Sequence, residues 1–243
     1  MGATLARAVT DLPPVKGDVA AAEPTRPQQV VARRVAEVKA TVPEFMLSTD
    51  VDMEACVEAL ARLRTAGADP APTTTDMVVK ACGLALRDVP QANAAYRDGR
   101  FERYSRVNVG LVVPAQDALV TPTILDADRR SLADVARDAR ELTDKARAGR
   151  ITPPEVGGAT FTVTDLGAHG ATAAMAIIAG AHAGALAIGA VAPRAVARDG
   201  AVVVRQTLTA TLTADHRILY GEDAMRFLAR VRALLEQPDA LLD

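Results

Sequence analysis

The sequence predicts an α/β fold in which a mixed sheet is covered by helices. Two observations carry this reading. Stretches with helical spacing and stretches with strand-like alternation both recur from Gln28 to the C-terminus, and they do not alternate strictly, which argues against a doubly wound sheet. A chain of 243 residues, about half of them apolar, is also long enough to bury a sizeable core.

The first 27 residues stand apart. "TDLPPVKGDVAAAEPTRP" is rich in Ala and Pro, carries mixed charge and has no apolar face, so residues 1–27 read as a flexible linker or arm before a domain at 28–243. "QQVVARRVAEVKATV" follows, with Val30, Val31, Val35 and Val38 at helical spacing, and should end before Pro43. "EFMLSTDVDM" alternates as a strand. "EACVEALARLRTAG" is an amphipathic helix stopped at Gly67. "TTTDMVVKACGLALRDVP" is a second helix, capped by Thr or Asp and ended by Pro90. "YSRVNVGLVVPAQDALVTPTILDAD" holds two strands around a turn at Ala115 to Asp117. "SLADVARDARELTDKARAGRI" is a charged helix with Leu132, Val135, Ala139 and Leu142 on one face. Strands are predicted at "GATFTVTDLG", "GALAIGAV" and "AVVVRQTLTATLTADH", and a last helix at "GEDAMRFLARVRALLEQP".

Composition narrows the function. The net charge of −2, with basic residues scattered among acids, argues against nucleic acid as a partner. No stretch approaches the length of a membrane span and the start lacks a signal-peptide apolar run, so no membrane attachment is expected. Cys56 and Cys82 are isolated, which speaks against a disulfide framework and a zinc site; a reducing cytoplasm and no metal are expected.

Few residues carry candidate chemistry. The glycines of "GGATFTVTDLGAHGA" lack the spacing of a phosphate-binding loop. Thr160, Thr162 and Thr164 alternate with Phe161 and Val163, as on any sheet face. Thr-Asp-Lys-Ala at Lys145 looks like the turn that carries a lipoylated lysine, but Lys145 lies among helix formers, so no lipoyl attachment site is expected within this chain. His169 and His182 sit in Gly- and Ala-rich sequence and read as structural or exposed. His216 differs: in "LTADHRILYGEDAMRFL" a strand ends on Asp-His-Arg and turns at Gly221 into a helix, so an imidazole is held at an element terminus. Such a group can take a proton from a thiol or hydroxyl, and can equally be a hydrogen-bonded structural histidine.

The motifs extend further than one histidine. "ARRVAEVKATVPEF", the block from "LVVPAQDALVTPTILDADRR" to "FTVTDLG", and "LTADHRILYGEDAMRFL" together resemble, from about Val30 to Leu242, the catalytic domain of the dihydrolipoamide acyltransferases, the E2 components of 2-oxo acid dehydrogenase complexes. The resemblance implies a chloramphenicol-acetyltransferase-like sandwich that forms homotrimers, with active sites between subunits and trimers built into a larger core. It implies CoA and dihydrolipoamide as substrates, and as partners the dehydrogenase and the dihydrolipoamide dehydrogenase of the complex. It implies that His216 removes the thiol proton and that Thr164, where the family usually has Ser, donates to the oxyanion. Tyr220 stands where the family has Asp or Asn, whose partner would be Arg33 or Arg34. This Tyr-Gly form is similar to plastid and cyanobacterial acetyltransferases, which puts acetyl ahead of branched-chain acyl groups. Glu44 replaces a usual His and Asp165 a usual Asn, each adding negative charge near the site. A fragment of a longer lipoyl-bearing protein is expected. The alternatives are a core that assembles without turnover and an acyltransferase to a non-lipoyl acceptor.

Overall fold

A computed structural model describes residues 17, 19–115 and 118–242. Most of the expected linker (1–16 and 18) and two residues of the expected turn, Gln116 and Asp117, lie outside them. The first helix, α1 (Arg26–Thr41), begins two residues inside the stretch read as linker, because Thr25 and Gln28 form a reciprocal capping box there.

After α1 come β1 (Glu44–Asp52), α2 (Glu54–Thr65) and α3 (Thr74–Asp88). A hairpin follows, of β2 (Ala94–Arg97) and β3 (Arg100–Arg103). The stretch read as two strands is four short ones: β4 (Val109–Leu111), β5 (Val113–Ala115), β6 (Ala118–Val120) and β7 (Thr123–Ile124). Then come α4 (Leu132–Arg147), β8 (Phe161–Asp165), β9 (Gly184–Ile188), β10 (Ala192–Arg198), β11 (Ala201–Asp215), α5 (Gly221–Glu236) and α6 (Asp239–Leu242). α3 carries the same capping box as α1, between Thr73 and Asp76, and Ser131 caps α4 through Asp134. No helix among the described residues is long and apolar enough to cross a membrane.

The main sheet runs β1-β11-β9-β8-β4-β7, with β10 also on β11. It is mixed: β8 is parallel to both β4 and β9, and the other pairings are antiparallel. β11 is its axis. Period-2 alternation gives it two faces. Leu208, Ala210, Leu212 and Ala214 point, with Phe161, Val163, Leu186 and Ile188, into the main core under α3 and α5. The opposite face carries Ala185, Ala187, Thr162, Thr211 and Thr213 and is covered by Ala176, Ile178 and Val38. There the Thr213 hydroxyl donates to the carbonyl of Ala176 at 2.7 Å. This cover is thin, and α1 meets it mainly through its last turns: Val38 is buried, whereas Val30 and Val35, expected on a core face, are exposed.

Two glycines let the loop after β8 cross the end of β9. A Cβ on Gly189 would lie 2.0 Å from the Thr172 carbonyl oxygen, and one on Gly167 would lie 2.5 Å from the Gly189 carbonyl. Both clashes are with backbone, which cannot rotate aside. Gly189→Ala is therefore expected to cost roughly 2–4 kcal/mol, read as a lowered Tm. Gly221→Ala, at an open position, should leave Tm within about 2 °C.

Candidate active site

His216 sits immediately beyond the last residue of β11, on a turn that Asp215 organises. Asp215 is 1% exposed, and its carboxylate accepts from the Arg217 amide at 3.0 Å and from the Arg217 guanidinium at 2.7 Å. Its carbonyl accepts from the amides of Ile218 and Leu219. Arg217 also donates to the carbonyl of Thr41 at 3.2 Å and lies 4.6 Å over the Tyr96 ring. The carboxylate hydrogen bond raises the Arg217 pKa further above its ordinary value. The turn is thus tied to the end of α1 and to the β2–β3 hairpin.

His216 itself is exposed, but its setting is fixed. Its amide donates to the Pro43 carbonyl at 3.1 Å, and its ring packs 4.7 Å from that of Phe45, tilted by 58°. Tyr220 meets it edge-on at 5.8 Å. Tyr220 is 53% exposed and occupies the N-cap of α5 without a side-chain capping bond. The guanidinium that braces this turn is Arg217, inside the Asp-His-Arg triplet itself. Arg34, one of the two residues expected as partner of position 220, lines a cleft of about 620 Å³ with Arg97, Arg106, Thr160, Thr162 and His182. Sequence reading missed Arg217 although the signal was at hand, since Asp at i and Arg at i+2 flank the histidine.

Thr164 is half-buried near the end of β8. Strand register relates it to His216: Thr164 pairs with Ala187, and Ala187 with Thr211. Five residues of β11 at about 3.3 Å each and two strand steps of about 4.8 Å put Thr164 and His216 roughly 19 Å apart. One chain does not bring them together. The residue after Thr164 is well anchored: Asp165 accepts from the Thr75 hydroxyl at 2.5 Å and from the Ala168 amide at 3.2 Å. Asp165 also lines a cleft of about 300 Å³ with Thr75, Asp76, Val113, Arg140 and His169. Burial raises the Asp76 pKa. Glu44, the other acidic departure, is matched by Lys39 at 2.5 Å, so its charge is not free.

The remaining candidates have structural settings. Lys145 is on α4, bridging Glu141 at 2.6 Å and Glu155 at 2.8 Å, and these partners raise its pKa. Burial pushes the Cys56 thiol up to about 12 and raises Cys82 as well, so both stay protonated and unreactive near neutral pH. No cluster of metal-ligating side chains occurs among the described residues.

The sequence matches the family of 2-oxoacid dehydrogenases acyltransferase (catalytic domain) over residues 17–242. The chain belongs to that family. A relative from Rhizobium meliloti, the dihydrolipoyllysine-residue acetyltransferase component of its pyruvate dehydrogenase complex, is 32% identical over 221 residues; the match covers 88% of this chain and 49% of the relative. The chain spans about half the length of the curated relatives it matches. Among solved acyltransferase structures, the dihydrolipoamide acetyltransferase of Azotobacter vinelandii superposes with a TM-score of 0.88 at 27% identity, covering 96% of this chain and 99% of that one. The cubic core of a pyruvate dehydrogenase multienzyme complex gives the same TM-score and coverage at 28% identity. Chloramphenicol acetyltransferase, 14% identical, matches with a TM-score of 0.52 over 84% of this chain and 94% of its own, and shows the fold alone. The A. vinelandii enzyme was studied for the catalytic roles of a serine, a histidine and an asparagine. Its serine lies 52 residues before the histidine and its asparagine four after, the spacings of Thr164 and Tyr220 from His216 in this family member.

His182 offers a test of the architecture. It begins the segment leading into β9, its Nδ1 is enclosed without a hydrogen-bond partner, and its backbone bridges Ala95. Burial lowers its pKa to about 4, so it is neutral in the folded protein near pH 7. Its unfolded pKa is about 6.5, so between about pH 6.5 and 4 the unfolded chain binds the extra proton and stability falls with falling pH. The drop is at most about 3 kcal/mol. Denaturant unfolding of His182→Gln across this range should show a flatter pH dependence than wild type.

Proposed function

We propose that the chain is the acyltransferase core of a 2-oxo acid dehydrogenase complex, moving an acyl group between dihydrolipoamide and CoA. One observation carries the reading. His216 is held by Pro43, Phe45 and the Asp215–Arg217 brace at the sheet end, with Thr164 and Tyr220 at the spacings of the serine and asparagine studied in the A. vinelandii enzyme.

In this reading the His216 imidazole takes the proton from the thiol of CoA or dihydrolipoamide. The thiolate sulfur attacks the thioester carbonyl of the other substrate, and the C–S bond forms as the carbonyl becomes an oxyanion. A hydroxyl donor at that oxygen contributes roughly 3–4 kcal/mol, and Thr164 supplies it. Collapse of the intermediate breaks the original C–S bond, and the imidazolium returns its proton to the departing thiolate. The edge of Tyr220 limits the swing of the imidazole.

Because Thr164 and His216 stand roughly 19 Å apart in one chain, each site takes His216 from one copy and Thr164 from the next. A homotrimer closes such a head-to-tail relation, and the fit to the cubic core supports assembly of trimers into a larger shell with the dehydrogenase components as partners. Acetyl is the favoured acyl group, since the relatives matched are acetyltransferases; branched-chain acyl groups come second. A core that assembles without turnover is the second reading, motivated by the exposed Tyr220 at the asparagine position.

Release of CoA from acetyl-CoA and isobutyryl-CoA, dependent on dihydrolipoamide, tests the proposal. His216→Ala should lower turnover about 10²–10⁴-fold and Thr164→Val about 10²–10³-fold. Wild-type rates in His216→Ala would remove the base role, and no turnover by a well-assembled wild type would leave the scaffold. Co-expressing His216→Ala with Thr164→Val should restore activity, since random assembly leaves about one site in four with both groups intact. Mixed trimers as inactive as either parent would show that the groups do not meet across copies.

A further inference from the structure

The geometry points to Glu44 as the positioning residue for His216, an inference that rests on the base role proposed above. Glu44 opens β1 directly opposite Asp215 and is nearly enclosed, its side chain 5% exposed. One carboxylate oxygen takes the Lys39 ammonium, from the last turn of α1, at 2.5 Å. The other accepts from the Ile178 amide, in the cover of the sheet's second face, at 3.0 Å. A single carboxylate therefore ties three segments together at the edge of the sheet.

What these ties hold is the bed of the histidine. Alternation turns the next side chain, Phe45, to the opposite face, where its ring meets His216. The preceding residues supply the carbonyls that the turn uses: Pro43 accepts from the His216 amide and Thr41 from Arg217. The stretch from Thr41 to Phe45 thus contacts the Asp-His-Arg turn at three points, and Glu44 is the side chain that pins this stretch from the far side. An exposed ion pair would contribute little. An enclosed carboxylate is different, because its loss strands the Ile178 amide and frees the end of α1. The consequence reaches His216 as a shift of its ring, without direct contact between Glu44 and the imidazole.

The full chain with Glu44→Ala and Glu44→Gln tests this in two readouts. The first is kcat and KM for dihydrolipoamide-dependent CoA release from acetyl-CoA. The second is the NMR spectrum of ¹³C-labelled histidine rings, where the chain's three histidines allow His216 to be assigned by its loss in His216→Ala. Glu44→Ala should lower kcat about tenfold or more, leave KM within about twofold, and move the His216 ring signals while those of His169 stay. Glu44→Gln keeps an acceptor for the Ile178 amide and should recover most of the rate and the signals. If Glu44→Ala does not fold, Glu44→Asp replaces it, because the shorter carboxylate cannot reach both partners and predicts the same changes. Unmoved His216 signals in the folded variant, or a loss confined to KM, would overturn the assignment. Wild-type turnover in His216→Ala would sink the base role alone, since the ring signals are read without turnover and still decide whether Glu44 sets the imidazole.

Discussion

The Asp215 carboxylate, buried at the end of the central strand and held by the guanidinium two residues on, is the interaction on which the rest of the site depends. Removing a charge from water is expensive, and a buried carboxylate of this kind persists only when its hydrogen bonds are filled. Here they are filled locally, by the Arg217 amide and guanidinium. The pair forces the chain into a tight turn directly after β11 and leaves His216 facing outward between its two charged neighbours. The same guanidinium reaches the end of α1 and the face of Tyr96, so three segments distant in sequence converge on one turn.

The long strand makes that convergence possible. β11 pairs with β1, β9 and β10, so its position fixes the sheet on both sides. Its two faces have unequal work. The helix side is deep and apolar, packed with the side chains of α3 and α5, while the other side is small residues and threonines beneath a thin segment. That asymmetry puts the threonines, including Thr164, on the face that one chain covers least. A sheet with one thick and one thin cover suits the proposed trimer, in which the second face would be buried against copies of the chain.

Much of the fold was legible because its signals are local. The capping residues of α3 and α4, the apolar periodicity of α5 and the alternation of β1, β8 and β11 are properties of short windows. Two hairpins were equally legible and went unread. Asp98-Gly99 and Asp199-Gly200 each have positive φ at both residues, the turn that joins β2 to β3 and β10 to β11. Short flanking strands rich in Arg hid the first, and the second went unread because the strand before it, β10, was not predicted.

By itself the sequence determined the fold class, the position of an Asp-His-Arg triplet at a strand end, and the family, since each rests on patterns within a few residues or on ordered motifs. The tertiary structure decided what those residues can do together. It set Thr164 and His216 roughly 19 Å apart, braced the Asp-His-Arg turn through Arg217 and enclosed Glu44 between α1 and the cover of the second face. These follow from strand register and from contacts between residues more than a hundred positions apart, such as Glu44 with Ile178 and Arg217 with Thr41. No local pattern encodes a register, because a strand's alternation reads the same whichever partner residue lies opposite.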